Sequence, residues 1–356
     1  MNLEEYEKRL ESIGIPFKDR DFLKKTFLFA SKIHEGEKRI SGEDYISHPA
    51  EVSLKLAELN MDTATIAAGI LHDTVERSPQ CLKQIRKDFG EEIAFLVDGV
   101  TKIQKIHATG ADRALESVKK MFFALAKDVR VVIIKLIDRL HNMETLGVLP
   151  VEKRERIARE TLSLYASLAE RLGMWNIKAQ LEDLSMKYLY PKEFEYMEEE
   201  LKKLAPEREI YLKKILEIIK AELKKENIKE VLINYRAKHI YSIWQKLDRY
   251  EGDWSRLSDL IALRLILPDV KSCYSALGII HNLWHPVPGK FRDYIALPKP
   301  NGYQSLHTSV FAEPRVIVEF QIRTEEMHQE AETGIAAHWA YSEAGKPKKG
   351  HMALDK

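Results

Sequence analysis

The sequence has little cysteine and no long apolar run. Its two cysteines, Cys81 and Cys273, lie far apart, which excludes a disulfide framework and a cysteine-based zinc site. No stretch approaches the roughly 18 apolar residues of a membrane span. The acidic start of the chain, residues 1–5, lacks the apolar core of a signal peptide. We therefore expect a cytoplasmic protein without a membrane partner.

The chain also lacks an excess of charge and the glycine-rich loops of common nucleotide folds. Lys and Arg number 56 against 55 Asp and Glu, which excludes a uniformly basic nucleic-acid coat but not a local basic groove. Neither G-x-x-x-x-G-K-[ST] nor G-x-G-x-x-G occurs, so P-loop and Rossmann sites are excluded. At roughly 150 residues per domain, 356 residues predict two domains with sizeable cores.

The first half of the sequence is typical of helices. Apolar residues recur at helical spacing in several segments: 21–34, 50–59, 63–76, 114–127, 129–146 and 152–171. Asp62 is placed to cap the helix that starts at residue 63. These patterns predict an all-α domain over residues 1–190.

Residues 191–230 combine dense charge with a narrow apolar stripe. The segment has 10 basic and 11 acidic residues, and its stripe includes Leu212, Ile215, Ile218 and Ile219. This pattern favours a charged, solvated amphipathic helix that links two domains.

Strand patterns begin after residue 230. Residues 231–235 are a short strand candidate, 258–267 are nearly continuously apolar, and 316–323 alternate. The alternation places Val316, Val318, Phe320 and Ile322 on one face and Ile317, Glu319, Gln321 and Arg323 on the other. A helix is expected over 324–341. We therefore predict an α+β domain with a mixed sheet over 231–342, followed by a flexible tail over 343–356.

Two imidazoles and two carboxylates in the first half form a candidate metal site, namely His48, His72, Asp73 and Asp138. Asp138 ends a strongly apolar stretch, where burying a carboxylate is costly unless a cation or donors accompany it. Such a mixed nitrogen and oxygen set suits Mn²⁺, Fe²⁺ or Zn²⁺ with open positions for water. The expected reaction is hydrolysis of a phosphate ester or anhydride.

Purely structural roles for these residues remain open as alternatives. A single histidine is more often a satisfied core or cap residue than a ligand, and Arg139 could pair with Asp138. Arg39 and Lys135 are candidate phosphate partners in the same half. They count toward a site only if the four candidate ligands converge.

A basic cluster opens the second domain. Arg236, Lys238 and Lys246 lie near each other if 239–250 is helical, and the N-terminus of that helix favours anions. A solvated basic helix face is the alternative.

Two carboxylates and an aromatic residue form the other part of this second constellation. Asp259 begins the apolar strand 258–267, and Glu319 lies on the polar face of 316–323; such a pair can hold Mg²⁺ against nucleotide phosphates. Tyr303 could stack on a base, with donors nearby from Lys299, Asn301 and His307. Exposure on a sheet face is the alternative for Glu319, and ordinary packing is the alternative for Tyr303.

Several long stretches together resemble one known family. They are RISGEDYISHP, GILHDTVE, KLIDRLHN, YRAKHIYSIWQK, SDLIALR, PGKFRDYIALPKPNGYQSLHT, VEFQIRTEEMH and AETGIAAHW, in this order from about residue 30 to residue 340. They resemble the long Rel-type (RelA/SpoT homologue) enzymes, which make and degrade the alarmone (p)ppGpp. The resemblance implies an HD-type hydrolase domain over 1–190 and a nucleotidyltransferase-like synthetase domain over 231–342, with the charged helical linker 191–230 between them.

For the first domain the resemblance implies removal of pyrophosphate from the 3′ position of ppGpp or pppGpp. The matching positions assign one Mn²⁺ to His48, His72, Asp73 and Asp138. Glu76 matches the residue that assists the attacking water. Arg39, Asn142 and Thr145 match residues that contact the nucleotide.

For the second domain the resemblance implies transfer of the β,γ-pyrophosphate of ATP to the 3′-hydroxyl of GDP or GTP, with release of AMP. Asp259 matches the Mg²⁺ ligand, and Glu319 matches a residue that approaches the metal and accepts the hydroxyl proton. The ATP phosphates are gripped at positions matching Arg236, Lys238 and Lys246. Tyr303 matches the residue stacked on guanine, with Lys299, Asn301 and His307 beside it.

Two positions depart from the family pattern. Glu76-Arg77 replaces the usual Glu-Asp of the hydrolases, and Glu144 stands where a basic residue is more common. A synthetase whose HD domain is weakened or only regulatory is therefore the alternative. The basic turn with Lys290 and Arg292 is typical of bifunctional members, so we expect both activities.

Two further expectations concern a macromolecular partner and an alternative function without catalysis. The resemblance implies contact with the ribosome only through regulatory domains absent from this chain. A nucleotide- or RNA-binding module without catalysis would explain the basic cluster but leave Asp259 and Glu319 unexplained.

Overall fold

The computed structural model describes residues 1–104, 124–228, 231–235, 238–254, 257, 261–313 and 316–335. Two compact units divide this part of the chain, Met1–Ala169 and Glu170–Gly334. Some residues and segments for which the sequence made predictions lie outside the described residues. These are Arg236, Asp259, most of the helix expected over 114–127, the end of the helix expected over 324–341, and the tail 343–356.

The first unit is built from helices. Their bounds are α1 Leu3–Ile13, α2 Phe17–Ile33, α3 Ser47–Glu58, α4 Thr63–Leu71, α5 Thr74–Arg77, α6 Cys81–Phe89, α7 Glu91–Gln104, α8 Val129–Glu144, α9 Val151–Glu160 and α10 Ala166–Arg171. A 3₁₀ turn spans Leu146–Val148, and a π-helical turn spans Thr161–Tyr165. The unit's described residues form no strand beyond one isolated bridge, so the predicted all-α character is confirmed.

The predicted helix over 63–76 is interrupted. It begins as expected, with Asp62 Oδ1 accepting a hydrogen bond from the Thr65 amide at 2.9 Å. However, α4 ends at Leu71 and α5 begins at Thr74, with a turn at His72 and Asp73 between them. The Thr74 hydroxyl donates to the Leu71 carbonyl at 2.6 Å at this turn. Helical periodicity alone does not reveal such a local side-chain interaction with the backbone.

Helix α8 is buried on nearly every side. Twelve of its sixteen residues are buried, including the polar Lys135, Asp138 and His141. Polar groups in such a position need partners, because burying them unpaired costs free energy.

The second unit combines helices with a five-stranded sheet. Its elements are α11 Trp175–Leu189, α12 Pro191–Lys225, β1 Leu232–Tyr235, α13 Ile240–Arg249, β2 Ile261–Leu267, α14 Val270–Leu283, β3 Arg292–Asp293, β4 Leu306–Glu313, β5 Val316–Thr324 and α15 Glu325–Thr333. The strand order is β1-β2-β5-β4-β3. Strands β2 and β5 are parallel and the other pairs antiparallel, so the predicted mixed sheet is confirmed.

The two faces of β5 have different roles, as its alternation predicts. Val318, Phe320 and Ile322 join the buried core, which also contains Leu263 of β2 and Ile280 of α14. On the opposite face, residue Glu319 pairs with Ala262 of β2, and Gln321 with Arg264. A polar sheet face is thus fixed by the residues packed behind it.

Helix α12 contributes to the core of the second unit. Ile215, Ile219 and Leu223 are almost fully buried and belong to the same hydrophobic cluster as the central strands. One face of the segment 191–230 is therefore buried in this core, and the described chain divides into its two compact units at 169/170. An amphipathic pattern shows that one face is buried but not which surface covers it.

No helix within the described ranges has both the length and the apolar composition that crossing a membrane requires.

Candidate active sites

Four predicted residues meet in the first unit. His48 lies in the first turn of α3, His72 and Asp73 in the turn after α4, and Asp138 on α8. Each of His48, His72 and Asp138 offers a ligand atom, and these atoms lie within 4.8 Å of one another. Asp73 adjoins the group, with Oδ1 3.2 Å from His72 Nε2 and Oδ2 3.7 Å from His48 Nε2. All four side chains are buried.

The donor set fits a divalent metal ion. His72 Nδ1 lies 2.7 Å from the Gly69 carbonyl oxygen, which can only accept, so Nδ1 carries the hydrogen. In the neutral ring Nε2 then presents a lone pair, and this buried atom makes no hydrogen bond to the described residues. It faces carboxylate oxygens, Asp138 Oδ1 among them at 3.7 Å. Lone pairs that face each other in a buried space need a cation between them.

The pKa shifts at this site also indicate an environment that favours positive charge. Burial lowers the pKa of His72, but the Asp73 and Asp138 carboxylates outweigh it and raise that pKa to about 9. The pKa of Asp138 lies well below its usual range, because Lys135 and the two histidines outweigh the effect of burial. Lys135 Nζ donates to Asp138 Oδ2 at 2.5 Å. A bound metal ion would supply this charge and displace the proton.

A cavity of about 450 Å³ opens beside these residues. The predicted nucleotide contacts Arg39, Asn142 and Thr145 line it. Arg39 Nη2 donates to Asn142 Oδ1 at 3.2 Å and to Thr145 Oγ1 at 3.1 Å. Asn142 Nδ2 donates to Asp138 Oδ1 at 2.6 Å, which connects the cationic wall to the candidate ligands. The structure therefore brings these predicted residues together.

Glu76 also lines this cavity. Partial burial and then the Asp73 charge raise the pKa of its carboxyl above the usual value. A raised pKa brings a carboxylate closer to the range in which it accepts a proton effectively near neutral pH.

Arg77, expected from the resemblance to depart from the family pattern, pairs with a carboxylate that is not one of the candidate ligands. Its Nε pairs with Glu37 Oε1, and 61% of its side chain is exposed. Glu144, the other departure, accepts from Lys55 Nζ at 2.8 Å. Neither residue lines the cavity. Arg77 and Glu144 are thus each paired with a residue outside the candidate metal ligands.

Two residues at this site were not singled out from the sequence. The Tyr45 hydroxyl donates to Asp73 Oδ2 at 2.9 Å, and His141 Nδ1 lies 2.7 Å from His48 Nδ1. Burial lowers the pKa of His141 to about 3, assisted by His48 and Arg39. His141 follows Asp138 by three residues on α8, so helical spacing could have drawn attention to it.

Glu319 is the centre of the second unit's polar face. Its Oε2 lies 3.6 Å from Lys238 Nζ, its Oε1 lies 3.5 Å from His307 Nδ1, and Gln321 Nε2 donates to Oε1 at 3.0 Å. Burial would raise the pKa of this carboxyl, but His307, Lys238 and Gln321 together hold it far below its usual range. Glu319 is therefore a fixed negative charge among donors.

Aromatic side chains surround Lys299 in a cavity whose wall includes His307 and Gln321, two of the residues that contact Glu319. A cavity of about 220 Å³ is lined by Lys299, Tyr303, His307, Gln321 and Trp175, among others. The Tyr303 hydroxyl lies 2.7 Å from His307 Nε2, and Lys299 Nζ lies 5.2 Å from the Tyr303 ring centroid. The predicted Tyr303, Lys299 and His307 are thus brought together. Trp175 of α11 was not predicted, because nothing in its local sequence links it to Tyr303.

Other predicted residues of this site are not in the cavity wall. Asn301 Nδ2 donates to the Glu170 carbonyl at 3.3 Å, and its Oδ1 accepts from the Tyr303 amide at 3.4 Å, so it shapes the turn. Lys246, on α13, is also absent from the lining residues. Arg236 and Asp259 belong to the part of the chain that the structure does not describe.

Comparison with known proteins adds two family matches. Residues 26–175 match the HD domain, and residues 235–346 match the region found in RelA/SpoT proteins.

Three curated relatives are similar over most of this chain. A protein of Aquifex aeolicus named guanosine-3′,5′-bis(diphosphate) 3′-pyrophosphohydrolase is 49% identical over 91% of the chain and 46% of its own length. The GTP pyrophosphokinase of Myxococcus xanthus is 46% identical over 92% of the chain and 44% of its own length. The bifunctional (p)ppGpp synthase/hydrolase SpoT of Escherichia coli is 45% identical over 91% of the chain and 46% of its own length. The chain spans less than half the length of each.

Proposed function

Because the chain belongs to the proteins that join an HD domain to the RelA/SpoT region, we propose that it performs two opposed reactions on guanosine nucleotides. One transfers pyrophosphate from ATP to the 3′-hydroxyl of GDP or GTP. The other hydrolyses the 3′-pyrophosphate of ppGpp or pppGpp. The observation that carries the proposal is that each unit holds a carboxylate beside a cationic side chain, the buried Asp138 beside Lys135 and the half-buried Glu319 beside Lys238.

In the hydrolase reaction, His48, His72, Asp73 and Asp138 would hold one divalent ion, which we propose to be Mn²⁺. The ion would lower the pKa of a water molecule and make it nucleophilic near neutral pH. Glu76 accepts a proton from the attacking water. The oxygen of water bonds to the phosphorus next to the 3′-oxygen, and the bond between that phosphorus and the 3′-oxygen breaks. The 3′-oxygen takes up a proton, which Glu76 can return, so the products are free pyrophosphate and GDP or GTP with a 3′-hydroxyl. Arg39, Asn142 and Thr145 hold the nucleotide.

In the synthetase reaction, Glu319 and Asp259 would hold Mg²⁺, which neutralises phosphate charge during the transfer. The 3′-oxygen bonds to the β-phosphorus of ATP, the bond to the α,β-bridging oxygen breaks, and AMP leaves. Because His307, Lys238 and Gln321 keep the pKa of Glu319 low, its carboxylate is ionised, so it can both bind a metal ion and accept the proton that the 3′-hydroxyl releases as its oxygen attacks.

Substrate contacts for this transfer come from two groups of residues. Arg236, Lys238 and Lys246 contact the ATP phosphates, and Tyr303 stacks on guanine beside Lys299, Asn301 and His307. The tyrosine hydroxyl is held by His307, which supports a fixed ring as a stacking surface.

The test separates the two reactions. The protein is incubated with ATP plus GDP and, separately, with ppGpp plus Mn²⁺, and the nucleotides are resolved by thin-layer chromatography. We expect ppGpp in the first mixture and GDP in the second. Glu319→Gln should abolish only the synthesis and His72→Ala only the hydrolysis. Each variant serves as the folded control for the other.

Two outcomes would contradict the proposal. Undiminished ppGpp formation by Glu319→Gln would remove this residue from the synthetase reaction. Absence of GDP release by the parent protein, together with its recovery in Arg77→Asp, would favour an HD domain that no longer hydrolyses.

A further inference from the structure

We infer that His141 is a positioning residue that fixes the hydrogen of His48 on Nδ1 and so leaves His48 Nε2 free to bind a metal ion. This inference rests on the proposed hydrolase site. It concerns a side chain that none of the expected ligand or nucleotide contacts includes.

Three side chains, Arg39, His141 and His48, contact one another in that order. Arg39 Nη1 lies 3.3 Å from His141 Nδ1, and His48 Nδ1 lies 2.7 Å from the same atom. Both histidines are buried, with 3% of His48 and 8% of His141 exposed. On the other side of its ring, His48 Nε2 lies 3.1 Å from Asp138 Oδ1.

The donor and acceptor properties of these groups determine the direction of both hydrogen bonds. A guanidinium group can only donate, so His141 Nδ1 must accept from Arg39 and carries no hydrogen. The short contact between the two Nδ1 atoms then needs its hydrogen from His48. A neutral His48 that carries its hydrogen on Nδ1 presents the Nε2 lone pair toward Asp138 and His72. That is the tautomer in which imidazole binds a metal through Nε2.

The opposite tautomer shows what His141 prevents. With its hydrogen on Nε2, His48 would donate to Asp138 Oδ1 and satisfy that carboxylate without a metal ion. Its Nδ1 lone pair would then face the His141 Nδ1 lone pair at 2.7 Å, which is repulsive. His141 therefore disfavours the arrangement that would block metal binding.

The first test measures Mn²⁺ affinity in the absence of nucleotide, from the electron paramagnetic resonance signal of free Mn²⁺. His141→Leu removes the acceptor, and we expect roughly 10–100-fold weaker binding, as for other residues that orient a metal ligand. His141→Asn keeps an acceptor oxygen near the Nδ1 position and should restore most of the affinity. His281→Leu is the control, because His281 contacts Thr308 in the second unit and lies outside the site.

Unchanged Mn²⁺ affinity in His141→Leu would overturn the inference, as would an equal loss in His141→Asn when both variants give parental circular dichroism. Failure of the parent protein to bind Mn²⁺ would instead refute the proposed metal site. A parent that binds Mn²⁺ but does not hydrolyse ppGpp would refute the proposed reaction and leave the role of His141 standing.

The second test needs no variant and covers the case in which His141→Leu does not fold. The ¹⁵N chemical shifts of the His48 ring in the metal-free parent report which nitrogen carries the hydrogen. We expect a protonated, pyrrole-type Nδ1 and an unprotonated, pyridine-type Nε2. The reverse assignment would overturn the inference.

Discussion

Replacing Ile219 by alanine tests whether α12 is part of the second unit's core. Ile219 is 1% exposed and packs in the cluster that contains the central strands. Ile210 lies on the same helix and is 69% exposed. The pair Ile219→Ala and Ile210→Ala therefore makes the same chemical change at a buried and at an exposed position.

The expected difference follows from burial. Shortening isoleucine to alanine removes about three methylene equivalents, at roughly 0.8 kcal/mol each when buried, which gives about 2.4 kcal/mol. The cavity left behind adds to this, so we expect Ile219→Ala to lower the free energy of unfolding by about 3 kcal/mol. Ile210→Ala should change it by less than about 0.5 kcal/mol.

Tryptophan fluorescence during urea unfolding isolates the relevant unit. Residues 1–169 contain no tryptophan, whereas Trp175, Trp244, Trp254 and Trp284 lie in the second unit and only Trp339 lies outside the described residues. With a slope of about 2 kcal/mol per molar urea, the Ile219→Ala midpoint should fall by about 1.5 M. Equal midpoints for both variants would refute the reasoning and support a solvated linker.

Four further predictions concern other parts of the chain. Arg77→Asp should change the rate of ppGpp hydrolysis by no more than about twofold, because Arg77 is largely exposed, pairs with Glu37 and does not line the cavity; a larger change in a GDP-release assay would contradict this. In a Cys81→Ser background, Ellman's reagent should not react with Cys273 at pH 8 until urea unfolds the protein, because burial raises the pKa of this thiol to about 12 from 9.0. For the same reason, the contribution of Cys273 to stability should be present below pH 9 and be lost as the pH rises from about 9 to about 12, which pH-dependent unfolding would reveal by comparison with Cys273→Ala. Asp62→Ala should lower the free energy of unfolding of the first unit by about 1 kcal/mol or more, because it removes the α4 cap and the acceptor for Arg130 Nη1; an unchanged circular-dichroism midpoint would contradict both contributions.

Local rules predicted much of the fold. The alternation in β5 placed Glu319 on the face opposite Phe320, because successive residues of a strand point to opposite sides. The sequence also predicted Asp62 as a helix cap, because a cap depends on nearby residues: the Asp62 carboxylate accepts from the amide of Thr65, only three residues later. The convergence of His48, His72 and Asp138 was expected from the residue types and from the family resemblance.

Nonlocal packing accounts for the rest. The apolar stripe of α12 indicates that Ile219 is buried but does not identify the sheet that covers it. Trp175 and Tyr303 are distant in sequence, and only the folded second unit brings both into one cavity wall. The hydrogen bonds of His141 likewise depend on where α3 places His48.

The burial of α8 has a consequence for how the two proposed activities tolerate mutation. On β5 the side chains that hold the sheet together and those that face the cavity occupy opposite sides, so a substitution can abolish chemistry while the unit stays folded. Helix α8 is more tightly constrained, because twelve of its sixteen residues are buried, and Lys135 and Asp138, which line the cavity, are among them. We therefore expect single substitutions on the polar face of β5 to abolish the proposed activity of the second unit without unfolding it. Substitutions along α8 should instead lower both the stability and the proposed activity of the first unit.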